Sequence, residues 1–158
     1  MKNYDNFLKA YKCLKNISNC GIKLVLAGIG TNELKLPNNC IALGMKENIE
    51  LYYNMADVII VPSAFGEGFS NVLVEGMLTK LLPVATDVGD AKKIIGKTGF
   101  ILKGHSVEIL ENELSKIMKV EKKTIESMGR KARNRAMKLF TVSNMIKSYD
   151  RVFSQVKL

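Results

Sequence analysis

Short apolar runs alternate with amphipathic stretches along most of the chain. Five of the apolar runs have the length and composition of buried strands, and they lie at 22–27, 40–43, 57–61, 83–86 and 99–102. Apolar residues at helical spacing between these runs predict helices at 3–16, 47–55, 71–80 and 89–95. Beyond the last strand only helices are predicted, at 107–118, 122–139 and 142–156. Strands that alternate with helices predict an α/β fold, a Rossmann-like parallel sheet with helices on both faces, followed here by C-terminal helices.

Individual residues support the predicted starts of two helices and the predicted buried face of a third. Ser106 and Thr141 stand where their hydroxyl groups would cap the helices that begin at Val107 and Val142. The first predicted helix has one apolar stripe, formed by Phe7, Leu8, Tyr11 and Leu14.

Length and composition favour a single domain that spans residues 1–158. No run of about 18 apolar residues occurs, and the first residues contain no apolar stretch typical of a secretory signal. The three cysteines are odd in number and no Cys-x-x-Cys pair exists, so we expect neither a disulfide framework nor a metal site. The single histidine, His105, is expected to be a solvated loop residue. We therefore expect no metal or cofactor and a cytoplasmic location.

The net charge of +9 is concentrated in the C-terminal helices. Residues 101–158 carry thirteen Lys and Arg against six acids, whereas residues 51–100 carry four Lys against five acids. A basic face attracts an anionic membrane or a nucleic acid, and a solvated helix face would look the same. Because no base-stacking or recognition-helix pattern accompanies the charge, nucleic acid is not an expected partner. Peripheral association with the inner face of a membrane remains an alternative to a solvated helix face.

The stretch from Val61 to Glu75 combines groups that suit a sugar nucleotide. It follows the buried strand 57–61 and contains a loop with two glycines before the next helix. Such glycines let backbone N–H groups approach a ligand, and free N–H groups at a helix start favour an anion. One carboxylate, Glu67, lies in the loop and another, Glu75, lies in the helix. The backbone N–H groups can bind phosphate, and the nearby carboxylates can accept hydrogen bonds from hydroxyl groups. Together these features favour a nucleotide-sugar ligand.

This stretch resembles the donor site of retaining glycosyltransferases of family 4, which have the GT-B fold. The resemblance rests on P-S-x(3)-E-G-F-x(5)-E, preceded by D-V-I-I-V and followed by P-V-A-T-D-V-G. Further similar segments are 22–30, 40–44, Y-Y-N-M-A-D at 52–57, and Phe140-Thr141 with Tyr149. The resemblance covers nearly the whole chain, but only the C-terminal half of such an enzyme.

The resemblance implies a role for each of the two glutamates. Glu67 would be the catalytic residue, which accepts hydrogen bonds from the donor sugar and stabilises positive charge that develops at the anomeric carbon. Glu75 would accept the two ribose hydroxyls, because a carboxylate accepts paired donors well.

Six further residues would bind the donor by the same resemblance. Residues 68–71 would offer backbone N–H groups to the sugar and diphosphate, Met45 would meet the base through its backbone, and Lys2 would neutralise the diphosphate. Ser63 is expected to be a turn residue rather than a contact. The donor-binding set is Lys2, Met45, Gly68, Phe69, Ser70, Asn71 and Glu75.

The sequence departs from the family at two places. The family's first strand and its arginine, which precede the lysine, are missing, and that strand is central in the sheet order 3-2-1-4-5-6. Either strand 22–27 then pairs directly with strand 57–61, or something else fills the gap. After Glu75, Gly76 weakens the helix by roughly 1 kcal/mol relative to alanine. Lys80 replaces a glycine at a helix end, where a positive φ is unfavourable for lysine.

The resemblance implies the donor-binding domain of a retaining glycosyltransferase. Such enzymes transfer a sugar from a UDP- or GDP-sugar to a glycan or lipid-linked acceptor, without a metal, commonly in surface polysaccharide biosynthesis. The acceptor site lies on an N-terminal domain, which a full-length protein or a separate chain would supply, so the isolated chain is expected to be inactive. The alternative is a non-catalytic half domain that binds a nucleotide-sugar or assembles with a partner.

Overall fold

Strands and helices alternate as predicted in the computed structural model, which describes residues 3–14, 21–37 and 39–155. The strands are β1 (Leu24–Leu26), β2 (Cys40–Ala42), β3 (Val58–Val61), β4 (Leu82–Thr86) and β5 (Phe100–Leu102). The helices are α1 (Tyr4–Cys13), α2 (Ile49–Tyr53), α3 (Asn71–Leu78), α4 (Ala91–Ile95), α5 (Val107–Ile117), α6 (Lys122–Leu139) and α7 (Val142–Gln155). A short 3-10 helix spans Thr31–Glu33. The predicted α/β class with C-terminal helices is confirmed.

All strand pairs within the described residues are parallel, and they form two sheets. β1 pairs with β2 in one sheet, and the order β3-β4-β5 makes up the other. Val61 lies opposite Ala85, and Thr86 lies opposite Leu102. Every residue of β4 is buried, as expected for a central strand that is covered on both faces.

Helices cover both faces of the three-stranded sheet. On one face, α1 and α5 pack over a cluster that also takes in Leu24 of β1 and Cys40 of β2. On the other face, α3, α4 and α6 pack over a second cluster. The predicted apolar stripe on α1 is confirmed by four buried side chains, those of Phe7, Leu8, Tyr11 and Leu14. Both sheets therefore share the core beneath α1 and α5.

Hydrogen bonds attach the start of α1 to two loops. The Asn3 and Asn6 side-chain amides donate to the carbonyl of His105, an exposed residue as expected, at 2.8 and 3.2 Å. The backbone N–H of Asn3 donates to the carbonyl of Pro62, just beyond β3, at 3.1 Å. The start of α1 is therefore held at the carboxyl end of β3.

β1 and β3 do not pair with each other in the described residues. Of the two arrangements that the sequence left open, direct pairing of strand 22–27 with strand 57–61 is therefore not the one observed. Among the residues that the structure describes, β1 and β3 each have a strand neighbour on one side only.

The bounds of several elements differ from the predicted ones, and the predicted caps are confirmed. The first helix ends at Cys13, the third ends at Leu78, and β4 begins one residue before Pro83. The Ser106 hydroxyl accepts a hydrogen bond from the N–H of Ile109, and the Thr141 hydroxyl accepts one from the N–H of Asn144.

The end of α3 is a Schellman motif, and Lys80 occupies its left-handed position. The N–H of Leu81 donates to the carbonyl of Gly76 at 2.9 Å, and the N–H of Lys80 donates to that of Met77 at 3.0 Å. Lys80 has φ of 67°, the only positive φ of a non-glycine residue in the part of the chain that is described. The predicted unfavourable lysine at this position is confirmed.

Gly76 allows α3 to lie close to β3. A Cβ atom at Gly76 would come within 2.7 Å of the Cγ2 atom of Ile59. Glycine lowers the helix propensity at this position, but it also permits a close contact between α3 and the sheet that any larger residue would prevent.

The last helix, α7, presents an apolar stripe to solvent and has no buried residue. The exposed apolar side chains of this helix are Val142, Met145, Ile146, Tyr149, Val152 and Phe153. In the described part of the chain, no helix is both long enough and apolar enough to cross a membrane.

Replacing Lys80 with glycine should stabilise the protein. Glycine adopts the left-handed conformation without a Cβ penalty, which stabilises the folded state. The greater entropy of glycine in the unfolded state opposes this effect but is smaller. We therefore expect a rise of about 0.5 to 1 kcal/mol in the free energy of unfolding. Lys80→Ala is the matched control, because alanine keeps the Cβ atom. Urea unfolding of the three proteins measures the difference, and an equal gain for both variants would contradict the assignment of strain to this position.

Candidate functional site

Five of the residues predicted to bind the donor, Gly68, Phe69, Ser70, Asn71 and Glu75, lie in the loop after β3 and in the helix α3 that follows it. In open parallel sheets, ligands bind at the carboxyl ends of the strands. The loop that follows β3 is tied to the loop that follows β4, because the N–H of Asp90 donates to the carbonyl of Gly68 at 3.2 Å. Gly89 lies so close to this loop that a Cβ atom would collide with the carbonyl oxygens of Glu67 and Gly68. The backbone around Glu67 is thus supported from the neighbouring strand.

A buried serine positions the carboxylate of Glu67. The Ser63 hydroxyl donates to Glu67 Oε1 at 2.8 Å, and Ser63 is only 1% exposed. The hydroxyl of Thr86, at the end of β4, donates in turn to the carbonyl of Ser63. Ser63 was expected to be a turn residue, and the structure adds a contact with the predicted catalytic carboxylate.

Tyr4 brings α1 to the same carboxylate. Burial, together with the negative charge of Glu67, raises the pKa of Tyr4 above its usual value. The Tyr4 hydroxyl also lies near Gly28, within 3.9 Å of where a Cβ atom of that glycine would be. Tyr4 therefore lies between the turn after β1 and the loop after β3.

Glu75 is held by a second tyrosine, at the end of α2. The buried Tyr53 donates its hydroxyl proton to Glu75 Oε2 at 3.1 Å. Burial, the charge of Glu75 and this hydrogen bond raise the pKa of Tyr53 well above its usual value, so the phenol remains a donor even in alkaline solution where an ordinary tyrosine begins to ionise. Glu75 itself is exposed, so a second ligand can approach its carboxylate from solvent.

The start of α3 holds a polar group whose hydrogen bonding is incomplete. Ser70 is 5% exposed, and its hydroxyl has no hydrogen-bond partner within residues 3–14, 21–37 and 39–155. Ser70 also precedes the first free N–H groups of α3, which begins at the exposed Asn71. Free backbone donors and an unpaired hydroxyl at a helix start favour an oxygen-rich anion.

Phe69 packs against another aromatic ring, whereas Met45 is exposed to solvent. The ring of Phe69 packs edge-to-face on Phe140 with centroids 5.5 Å apart, which links the loop to the end of α6. Met45 is 68% exposed and follows Gly44, whose carbonyl accepts a hydrogen bond from the N–H of Gly28 at 2.8 Å. Gly28 is the residue beside Tyr4, so this turn borders the site. Lys2 lies outside the described residues.

The arrangement suits a ligand that combines hydroxyl groups with an anionic group. Glu67 and Glu75 lie in the loop before α3 and within α3, each held by a hydroxyl donor, while the helix start supplies donors for an anion. In the part of the chain that is described, no group of three His, Cys, Asp or Glu side chains could hold a metal ion.

Three residues of this site were not predicted as site residues from the sequence. Tyr4 and Tyr53 lie far along the chain from the glutamates they approach, so spacing gave no signal for them. The Ser63 contact spans only four residues, so the short separation of Ser63 and Glu67 within one loop was the signal that could have suggested it.

Comparison with known proteins identifies the family of this chain. The model of the family described as glycosyl transferases group 1 matches residues 1–135. The chain therefore belongs to the glycosyl transferases group 1 family.

Similar proteins are longer than this chain. The exopolysaccharide phosphotransferase SCO2592 of Streptomyces coelicolor is 28% identical over an alignment of 148 residues, and the match covers 86% of this chain and 16% of that protein. A glycosyltransferase from Rickettsia africae ESF-5 superposes with a TM-score of 0.80 at 21% identity, over 98% of this chain and 44% of that one. Anabaena Alr3699/HepE, solved in complex with UDP-glucose, gives a TM-score of 0.76 at 20% identity, over 96% of this chain and 45% of that one. The structural matches show a shared fold, and this chain spans less than half of those proteins.

Gly89→Ala should destabilise the protein, whereas Gly68→Ala should not. A Cβ atom at residue 89 would collide with the loop backbone, and Gly89 has φ of 61°. We expect a loss of about 1 to 3 kcal/mol in the free energy of unfolding for Gly89→Ala. No atom lies within 4 Å of a Cβ atom placed at Gly68, so Gly68→Ala should stay within about 0.5 kcal/mol of the unaltered protein. Urea unfolding tests both variants, and equal effects would contradict the support of the loop by Gly89.

Proposed function

We propose that residues 1–158 form a single domain that binds the nucleotide-sugar donor of a retaining glycosyltransferase. The observation that carries the proposal is the pair of carboxylates, Glu67 and Glu75, each held by a hydroxyl donor around the start of α3. The donor is a UDP- or GDP-sugar and the acceptor a glycan or a lipid-linked glycan. The name of the Streptomyces relative, which refers to exopolysaccharide, supports a place in surface polysaccharide biosynthesis.

Each glutamate has a distinct role in this proposal. Glu67 accepts hydrogen bonds from hydroxyls of the donor sugar and stabilises positive charge at the anomeric carbon as the bond to phosphate breaks. Because Ser63 holds one oxygen of Glu67, the carboxylate does not need to be ordered when the sugar arrives. Glu75 accepts the ribose hydroxyls, and Tyr53 fixes its orientation from the buried side.

The diphosphate lies at the start of α3 in this arrangement. The N–H groups of residues 68–71 and the buried hydroxyl of Ser70 supply donors, and the unpaired state of that hydroxyl is the structural support for an anion here. Lys2 adds a positive charge, and the backbone at Met45 contacts the base. The complex of Anabaena Alr3699/HepE with UDP-glucose supports a uridine nucleotide as the first candidate.

The rest of the enzyme lies outside this chain in our proposal. The chain covers 44% of the Rickettsia glycosyltransferase, which leaves room for an N-terminal domain that holds the acceptor. The exposed apolar stripe of α7 supports a contact with such a domain. Since the reaction needs groups from both halves, the isolated chain binds donor without turnover. Robust sugar transfer by the isolated chain would contradict this division of roles.

The exposed stripe of α7 also favours the second candidate, a non-catalytic half domain that binds a nucleotide-sugar and assembles with a partner. Adding a separately produced N-terminal half distinguishes the two candidates. Sugar transfer by the mixture supports the enzyme, whereas assembly without transfer supports the non-catalytic domain.

Nucleotide binding tests the proposed site. We expect saturable binding of UDP or GDP by isothermal titration calorimetry, and Glu75→Ala should weaken it about tenfold or more, because hydrogen bonds to a charged acceptor are lost. Glu126→Ala is the matched control, since Glu126 is an exposed helical glutamate on α6. The titrations are repeated at two salt concentrations to reveal nonspecific attraction of the phosphates to basic residues.

Two outcomes would contradict the proposed site. One is the absence of binding for both nucleotides. The other is an equal loss of affinity in Glu75→Ala and Glu126→Ala, which would indicate an effect of net charge rather than of the ribose contact.

A further inference from the structure

A buried threonine joins two glycine turns at one edge of the sheet formed by β1 and β2. One turn, residues 28–30, lies beyond the end of β1, and the other, residues 44–45, lies beyond the end of β2. Because the two strands are parallel, both turns lie at the same edge. Thr31 follows the first turn and is only 1% exposed. Its hydroxyl therefore needs hydrogen-bond partners within the protein.

The Thr31 hydroxyl makes one hydrogen bond to each turn. It donates to the carbonyl of Gly28 at 2.9 Å and accepts from the N–H of Gly44 at 3.1 Å. A third hydrogen bond closes the ring, since the N–H of Gly28 donates to the carbonyl of Gly44 at 2.8 Å. A hydroxyl suits this position because it is a donor and an acceptor at once. The threonine thus fixes the two turns against each other.

This ring of hydrogen bonds occupies the peptide groups of Gly44 but leaves those of Met45 open. Gly44 has φ of 66°, a conformation that glycine adopts without strain. The N–H and the carbonyl of Met45, the next residue, have no hydrogen-bond partner among the described residues. These two groups can therefore pair with a ligand, and Thr31 sets their direction through Gly44.

Both turns also present an exposed apolar side chain. Ile29 is 86% exposed and Met45 is 68% exposed, and each directly follows one of the two bonded glycines. Binding sites for small molecules combine apolar walls with a few fixed polar groups. A nucleotide base, which has apolar faces and a polar edge, matches this combination.

The two turns lie beside the loop that carries Glu67. The Tyr4 hydroxyl lies within 3.9 Å of where a Cβ atom of Gly28 would be. Burial and the negative charge of Glu67 raise the pKa of Tyr4, so the tyrosine also lies close to that carboxylate. A single ligand can therefore contact the turns and the loop of Glu67.

We propose that Thr31 is a positioning residue that determines which nucleotide base the protein selects. This inference rests on the proposed function, in which the backbone at Met45 contacts the base. The Thr31 hydroxyl holds Gly44, so the N–H and carbonyl of Met45 meet the edge of the base at a fixed distance from the ribose. Uracil and guanine both present an N–H beside a carbonyl, but they differ in ring size, and a fixed turn accepts one of them better. A turn without the hydroxyl moves with the base and distinguishes them less.

Calorimetric titration of three variants with UDP and GDP tests this role. Thr31→Val keeps the branched side chain but loses the hydroxyl, so the ratio of the two dissociation constants should shrink about fivefold or more. Thr31→Ser keeps the hydroxyl and should retain the ratio within about twofold. Thr98→Val is the matched control, because it removes a threonine hydroxyl that donates to the carbonyl of Ile95 at 2.7 Å, beyond the end of α4.

Amide hydrogen exchange of the unaltered protein gives a second readout that needs no variant. The N–H of Gly44 should exchange slowly without ligand, because Thr31 already accepts its hydrogen bond. The N–H of Met45 should slow by about tenfold or more only when the preferred nucleotide is added. Fast exchange at Gly44, or no change at Met45 with bound nucleotide, would overturn the inference.

The titrations separate this inference from the proposed function. If the unaltered protein binds neither nucleotide, the proposed donor site itself fails. If it binds them and Thr31→Val weakens both equally, the threonine has only a structural role and the inference is overturned. Equal affinity of the unaltered protein for UDP and GDP would overturn it too, and so would an equal change of the ratio in Thr98→Val.

Discussion

The close approach of α3 to β3 is the contact on which the rest of the site depends. Because Gly76 has no side chain, α3 lies directly against Ile59 of β3. The start of α3, with Ser70 and Asn71, then lies at the same edge as the loop carboxylate Glu67. The Schellman motif at Lys80 ends the helix and leads directly into β4. A helix held farther from the sheet would carry its free N–H groups, and Glu75 with them, away from this edge.

Around this contact, hydroxyl groups help to position the two glutamates. Ser63 holds Glu67 and Tyr53 holds Glu75. A hydroxyl donor orients a carboxylate without neutralising its charge, so the hydroxyl itself leaves the carboxylate able to accept hydrogen bonds from a ligand. The raised pKa of Tyr53 keeps that donor protonated beyond the pH at which an ordinary tyrosine ionises. Such an arrangement is suited to recognising sugar and ribose hydroxyls, whose protons need a strong acceptor.

Local pattern was sufficient to predict the alternation of strands and helices, the caps at Ser106 and Thr141, and the unfavourable φ of Lys80, because each depends on residues close in the chain. The contacts of Tyr4 and Tyr53 could not be predicted in this way, since they depend on how α1 and α2 pack at the edge of the sheet. The role of Gly76 could not be predicted from local pattern either. Its propensity suggested a weakened helix, whereas its role follows from a strand seventeen residues earlier. The separation of β1 from β3 likewise required the fold, because sequence alone allowed either arrangement.

A crystal structure of this chain with UDP bound would test the central claim most directly. The account predicts that the diphosphate lies at the start of α3, with the Ser70 hydroxyl and the N–H groups of residues 70 and 71 as donors. It also predicts that the ribose hydroxyls donate to Glu75 while Tyr53 keeps its hydrogen bond to the same carboxylate. A nucleotide bound elsewhere, for example among the lysines of α6, with the start of α3 unoccupied, would contradict the account.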